Sequence, residues 1–145
     1  MNSSKKAVMD LLWNEPYKIG HWVGFKDLTT LHNEWLRSFL YADEDQTLLA
    51  HRGSYKTTDL SLFLAIHTVI DPNENVMFFR KTDDDVTEVL VQTQKILKAG
   101  CMQQIVRTLY GTDLQFLKEN NSEIHTNLCT STKGVSQVVG LGIGT

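Results

Sequence analysis

Leu48-Leu49-Ala50-His51-Arg52-Gly53-Ser54-Tyr55-Lys56-Thr57-Thr58 is the stretch on which the reading of this chain turns. It runs as a short apolar strand, a tight loop, and a Lys-Thr-Thr that opens a long helix. That is the layout of a phosphate-binding loop, in which backbone N–H groups wrap the phosphates at a helix N-terminus. In such a loop the Lys reaches the β- and γ-phosphates and the next hydroxyl holds Mg²⁺. The strict pattern is G-x-x-x-x-G-K-S/T. Counting back from Lys56, its two glycine positions hold Tyr55 and Ala50.

Working outward, Thr57 to Ile70 (T-T-D-L-S-L-F-L-A-I-H-T-V-I) is apolar on nearly every face, which predicts a buried helix. Strand, loop and buried helix together give the context that the motif demands. The plainer alternative is a βα turn whose Lys binds nothing. Helix starts favour acids because the dipole is positive there, so a Lys in the first turn costs a little unless an anion neutralises both. That balance favours phosphate.

The 145 residues predict one domain, long enough to bury about 70% of its unfolded surface. Hydrophobic residues make up 41% and charged residues 21%, a globular balance rather than a disordered one. The net charge of −3 supplies no global attraction to nucleic acid or anionic lipid. Cys101 and Cys129 stand alone, without metal-ligand spacing, and read as reduced intracellular thiols. The N-terminus lacks the apolar core of a signal peptide, and no run of about 18 apolar residues predicts a membrane span.

In chain order, residues 3–14 predict a helix with Ala7, Val8, Leu11 and Leu12 on one stripe. Pro16 to Asp27 reads as an ordered loop packed on the core. A second helix is expected from Thr29 or Thr30 to Tyr41, with Leu31, Trp35, Leu36, Phe39 and Leu40 on its inner side. A strand is expected at 47–50. After the buried helix, Asp71-Pro72-Asn73 is a turn. Asn75 to Arg80 predicts a strand covered on both faces, as in a parallel sheet. Thr82 and Asp85 suit a capping position for a helix to Lys98, with Val86, Val89, Leu90, Ile96 and Leu97 inward. A further helix spans 101–110 and stops at Gly111. Leu114–Leu117 and Glu123–Thr130 predict strands, paired as a hairpin around Asn120-Asn121. The order argues for α/β architecture with a parallel sheet and right-handed crossovers.

Other candidate sites are weaker. Gly140-Leu141-Gly142-Ile143-Gly144 lacks the spacing and following helix of a dinucleotide fingerprint, and reads as a turn or strand end. The five histidines show no paired zinc spacing, and His67 falls within the buried helix. Asp83-Asp84-Asp85 sits in a first helical turn, where the dipole stabilises acids without a metal. Leu114 to Glu119 makes a poor Walker B strand, interrupted by Gln115 and Lys118.

Arg52-Gly53-Ser54-Tyr55-Lys56-Thr57-Thr58 resembles the variant Walker A of phage and prophage terminase large subunits, the ATPases that package DNA into capsids. An early loop Arg is typical there, and the second Gly is not always kept. Three further segments share the resemblance in the family's order: Leu31-His32-Asn33-Glu34-Trp35, Phe78-Phe79-Arg80-Lys81-Thr82, and Thr132-Lys133-Gly134-Val135-Ser136-Gln137 with Gly140 to Thr145. The resemblance implies an α/β, RecA-like P-loop NTPase of the additional-strand (ASCE) class, a parallel sheet with flanking helices. Residues 1–46 would form an N-terminal helical segment. Residues 47–145 would form the first part of the ATPase core, stopping before the Walker B strand and without the nuclease domain.

Residue by residue, the resemblance implies that Lys56 binds the β/γ-phosphates of ATP and that Thr57 coordinates Mg²⁺. Gly53, Ser54 and Tyr55 would offer backbone N–H groups, with Thr58 completing the nucleotide-binding set. Arg52 would stabilise γ-phosphate charge as an arginine finger does; a surface ion pair is its alternative reading. Lys56 and Arg52 are thus the catalytic expectations. The 31–40 helix falls where the family contacts adenine, yet it lacks the Gln common in related motors. If position 55 requires positive φ, Tyr55 costs about 1–2 kcal/mol.

The complete protein would use ATP to drive double-stranded DNA into a procapsid in the host cytoplasm. Its partners would be the small terminase subunit and the portal protein, on which it would form a homo-oligomeric ring, with no membrane involved. The chain by itself is expected to bind nucleotide without turning it over, and to be marginally stable through open strand edges. The alternatives are another P-loop motor, such as a helicase-like ATPase, or a non-catalytic interaction module.

Overall fold

A computed structural model describes residues 3–42, 55–132 and 134–144. The strand expected at 47–50 and most of the loop, including Arg52, Gly53 and Ser54, lie outside the described residues.

Three helices precede that segment: α1 (Ser3–Asn14), α2 (Tyr17–Val23) and α3 (Thr30–Tyr41). Helix α2 corrects the loop expected over 16–27. Pro16 stands at its N-cap and Gly24 ends it at φ +114°, the Pro-first, Gly-last asymmetry of a short helix. Gly20 within it is fully packed. A Cβ there would lie 2.5 Å from Leu28 Cδ1 and 2.8 Å from Leu62 Cδ1, so the helix seats on the core where only glycine fits. In α3, His32 and Leu36 are the buried residues, while Leu31 is exposed rather than inward.

Helix α4 (Lys56–Ile70) is buried along most of its length, as its all-round apolar sequence predicts. The Asp71 turn leads to β1 (Val76–Arg80), then α5 (Asp83–Lys98) and α6 (Gly100–Tyr110). Thr82 caps α5, its Oγ1 accepting the Asp85 N–H at 3.1 Å. Val86, Val89, Leu90, Ile96 and Leu97 all face the core. The chain closes with β2 (Phe116–Glu119), β3 (Glu123–Thr126) and β4 (Val138–Gly142). The last of these takes in Gly140–Gly142 and stops inside the glycine run, which is thus a strand end.

The sheet order is β1-β4-β3-β2. Only β1 and β4 pair in parallel; β3 runs antiparallel to both β4 and β2. The sheet is therefore mixed, not parallel as expected. The cause is local. Asn120 Oδ1 accepts the N–H groups of Ser122 and Glu123 at 2.9 Å each and closes a tight turn, which can join only antiparallel strands.

Helix α5 packs against β1, β3 and β4, where Phe78, Ile124 and Val138 are buried, and α4 packs in turn on α5. Among the described residues, no helix covers the opposite face. Met77 and Phe79 are each 56% exposed, beside exposed Leu141. The expectation that β1 is covered on both sides thus fails among the described residues. Buried Gln137 ties the layers together: Oε1 accepts from the N–H and hydroxyl of Thr126, and Nε2 donates to the carbonyls of Thr68 and Pro72. Cys101 and Cys129 are free thiols. Among the described residues, no helix is long and apolar enough to cross a membrane.

Candidate functional site

The described part of the loop motif begins at Tyr55 and continues into the first turn of α4. The Asp59 N–H donates to the Tyr55 carbonyl at 3.0 Å, the first bond of the helical ladder. The N–H groups of Lys56, Thr57 and Thr58 therefore have no acceptor within the helix and stand at its positive end. Lys56 is exposed, Thr57 is half-buried and Thr58 is buried. At this mouth Lys56 can offer its ammonium and Thr57 its hydroxyl; buried Thr58 can offer its backbone.

Tyr55 adopts φ +65° and ψ +28°, and is the one non-glycine residue with positive φ among the described residues. It occupies the position where the strict motif has its second glycine. The expected left-handed conformation is present, at a cost of about 1–2 kcal/mol for a residue with a Cβ. The side chain reaches away from the helix mouth to the segment before α3. Its hydroxyl donates to Asp27 Oδ2 at 3.0 Å, and its ring meets the His32 ring edge-to-face at 5.8 Å. The hydrogen bond to Asp27 and that carboxylate's charge raise the Tyr55 pKa.

The parallel pair β1 and β4 brings a second cation to the same helix end. Arg80, the last residue of β1, directs Nη1 to Thr57 Oγ1 at 3.5 Å, a long contact. The sequence reading gave Arg80 no role. Its available signal was position: it ends the strand that follows the loop helix. Lys56, Arg80 and the dipole of α4 give this corner a positive character suited to an anion.

Asp59 opposes that character from below. It is fully buried, and neither carboxylate oxygen has a hydrogen-bond partner among the described residues. Burial pushes its pKa up to about 7. In the sequence it reads as an ordinary acid in a first helical turn, and nothing there announces its burial.

The fit to ATP and Mg²⁺ is unequal. Exposed Lys56 and the unpaired N–H groups suit phosphate. For Mg²⁺ the described residues offer Thr57 Oγ1, which already faces a guanidinium, and no cluster of three or more His, Cys, Asp or Glu that could hold a metal. Magnesium here would lean on the phosphate oxygens, its usual habit in nucleotide sites.

The remaining candidates separate from this corner. His67 is half-buried against Phe63, with its pKa lowered by burial. Of the 114–119 segment, Phe116–Glu119 forms β2 at the sheet edge. A cavity of about 650 Å³ lies at the far end of α4, between Leu12, Trp13, Tyr41, Ile70 and Tyr110. Its two tyrosine hydroxyls are bound to the backbone carbonyls of Leu12 and Val69. Comparison with protein-family models, curated proteins and solved structures finds no match.

Proposed function

We propose that this chain binds the phosphates of ATP, with Mg²⁺, at the N-terminus of α4, as the first part of the ATPase of a terminase-like DNA-packaging motor. The observation that carries the reading is the left-handed Tyr55 immediately before exposed Lys56 at the mouth of a buried helix. The nearby Arg80 guanidinium adds to it, because two cations at one positive helix end repel each other unless an anion joins them.

Phosphate would bind through Lys56 and the backbone N–H groups of residues 56–58. Thr57 would supply its hydroxyl to the metal that bridges the phosphates. In such a site, catalysis is positioning and charge neutralisation of the γ-phosphate rather than covalent chemistry. Arg52 would share that neutralisation in the complete motor. The DNA, the small subunit and the portal belong to that motor and enter by resemblance alone.

Titration with a fluorescent ATP analogue tests the reading. Saturable binding that strengthens with Mg²⁺, is displaced by pyrophosphate and falls at least tenfold in Lys56→Ala is the expected result. Equal binding by Lys56→Ala would sink it.

A further inference from the structure

We infer that Tyr55 is a positioning residue that latches the mouth of α4 to the start of α3, and so couples anion binding at α4 to the Asp27–His32 segment. The inference rests on the phosphate-binding reading above and specifies how that site is held in shape without the motif's second glycine.

Three observations converge on Tyr55. Its backbone is left-handed, a conformation that a tyrosine does not hold without compensation. Its hydroxyl donates to Asp27 at 3.0 Å, 28 residues earlier in the chain. Its ring rests edge-on against His32. His32 is itself fixed. It is buried, and its Nδ1 accepts the Thr29 N–H at 2.9 Å and contacts the Thr29 hydroxyl at 3.0 Å, which closes the capping box of α3. The latch therefore joins two helix N-termini through one buried partner, His32, and one exposed partner, Asp27.

This arrangement explains why a bulky residue can stand at a glycine position. The phenol bond and the ring contact act against the cost of the left-handed backbone. The carbonyl of Tyr55 then accepts the first bond of the α4 ladder, from the Asp59 N–H, and leaves the N–H groups of residues 56–58 at the helix mouth.

Glycine at this position separates the latch from simple strain. Tyr55→Gly removes the backbone cost and both anchors at once. If Tyr55 were only a tolerated defect, restoring the motif glycine would leave binding equal or tighter. The latch predicts the reverse: affinity for the fluorescent ATP analogue falls roughly tenfold while the melting temperature changes little.

Asp27 supplies the second arm. Asp27→Asn removes the charge but keeps an oxygen to accept from the phenol; Asp27→Ala removes both. Charge alone predicts that the two bind alike. The latch predicts that Asp27→Ala binds several-fold more weakly than Asp27→Asn, and that this gap vanishes in a Tyr55→Phe background. Tighter binding by Tyr55→Gly, or no gap between the Asp27 variants, would overturn the inference. So would affinity losses that merely track falls in melting temperature. Wild-type protein that binds no analogue, or a Lys56→Ala variant that binds equally, would overturn the phosphate reading itself and the positioning role with it.

Discussion

Asp59 makes the protein's stability depend on pH in an unusual direction. An unfolded carboxyl ionises near its ordinary 3.8, whereas the buried one in α4 holds its proton to about 7. Between those values the folded state binds a proton that the unfolded state has released. Stability from this group is therefore complete below pH about 4 and is lost as pH rises through about 7, on the order of a few kcal/mol in all. The melting temperature should fall from pH 5 to pH 7.5, and Asp59→Asn should flatten most of that slope. A melting temperature that rises across the window would contradict the burial of an unpartnered carboxylate. Residue-level legibility was uneven for physical reasons. The strain at Tyr55 could be foreseen because a motif assigns φ to its position. The burial of Asp59 could not, because helix polarity makes an acid welcome in any first turn.

At the scale of elements, α4 was readable because apolar residues on every face exclude a surface helix. Helix α5 was readable from its amphipathic period and Thr82 cap. Helix α2 was missed because seven residues give too short a period to register, and the glycines at 20 and 24 suggested a loop. The pairing of β4 with β1 depends on a contact that sequence alone does not mark: Gly140, opposite Phe78 in the register. A Cβ at Gly140 would lie 2.6 Å from Phe78 Cζ and from Val86 Cγ1. Gly140→Ala should therefore destabilise the protein by about 1–3 kcal/mol. Thermal melting should show a loss of several degrees, and an unchanged melting temperature would mean that α5 does not press on the sheet at this point.

Across the whole molecule, the α/β class, the burial of α4 and the β2–β3 hairpin around Asn120 were legible; the antiparallel pairing of that hairpin with β4, which makes the sheet mixed, was not. Parallel pairing was inferred from alternating strands and helices, but that alternation ends at α6, where a tight turn at Asn120 takes over. Among the described residues, helices pack on one side of the sheet, and Met77, Phe79 and Leu141 on the other are exposed. Such a surface favours self-association. Phe79→Lys with Leu141→Lys should lower light scattering at high protein concentration without loss of helical circular dichroism; unchanged scattering would acquit this face.

The central claim is that the N-terminus of α4 is a phosphate site organised around Lys56. The most direct test is to titrate pyrophosphate, which carries the phosphate chemistry without the base, into wild type and Lys56→Ala by calorimetry at matched pH and salt. Saturable heat in the wild type, lost in the variant while its melting temperature holds, is the predicted result. Equal heats in both proteins, or none in a wild type that melts cooperatively, would contradict it.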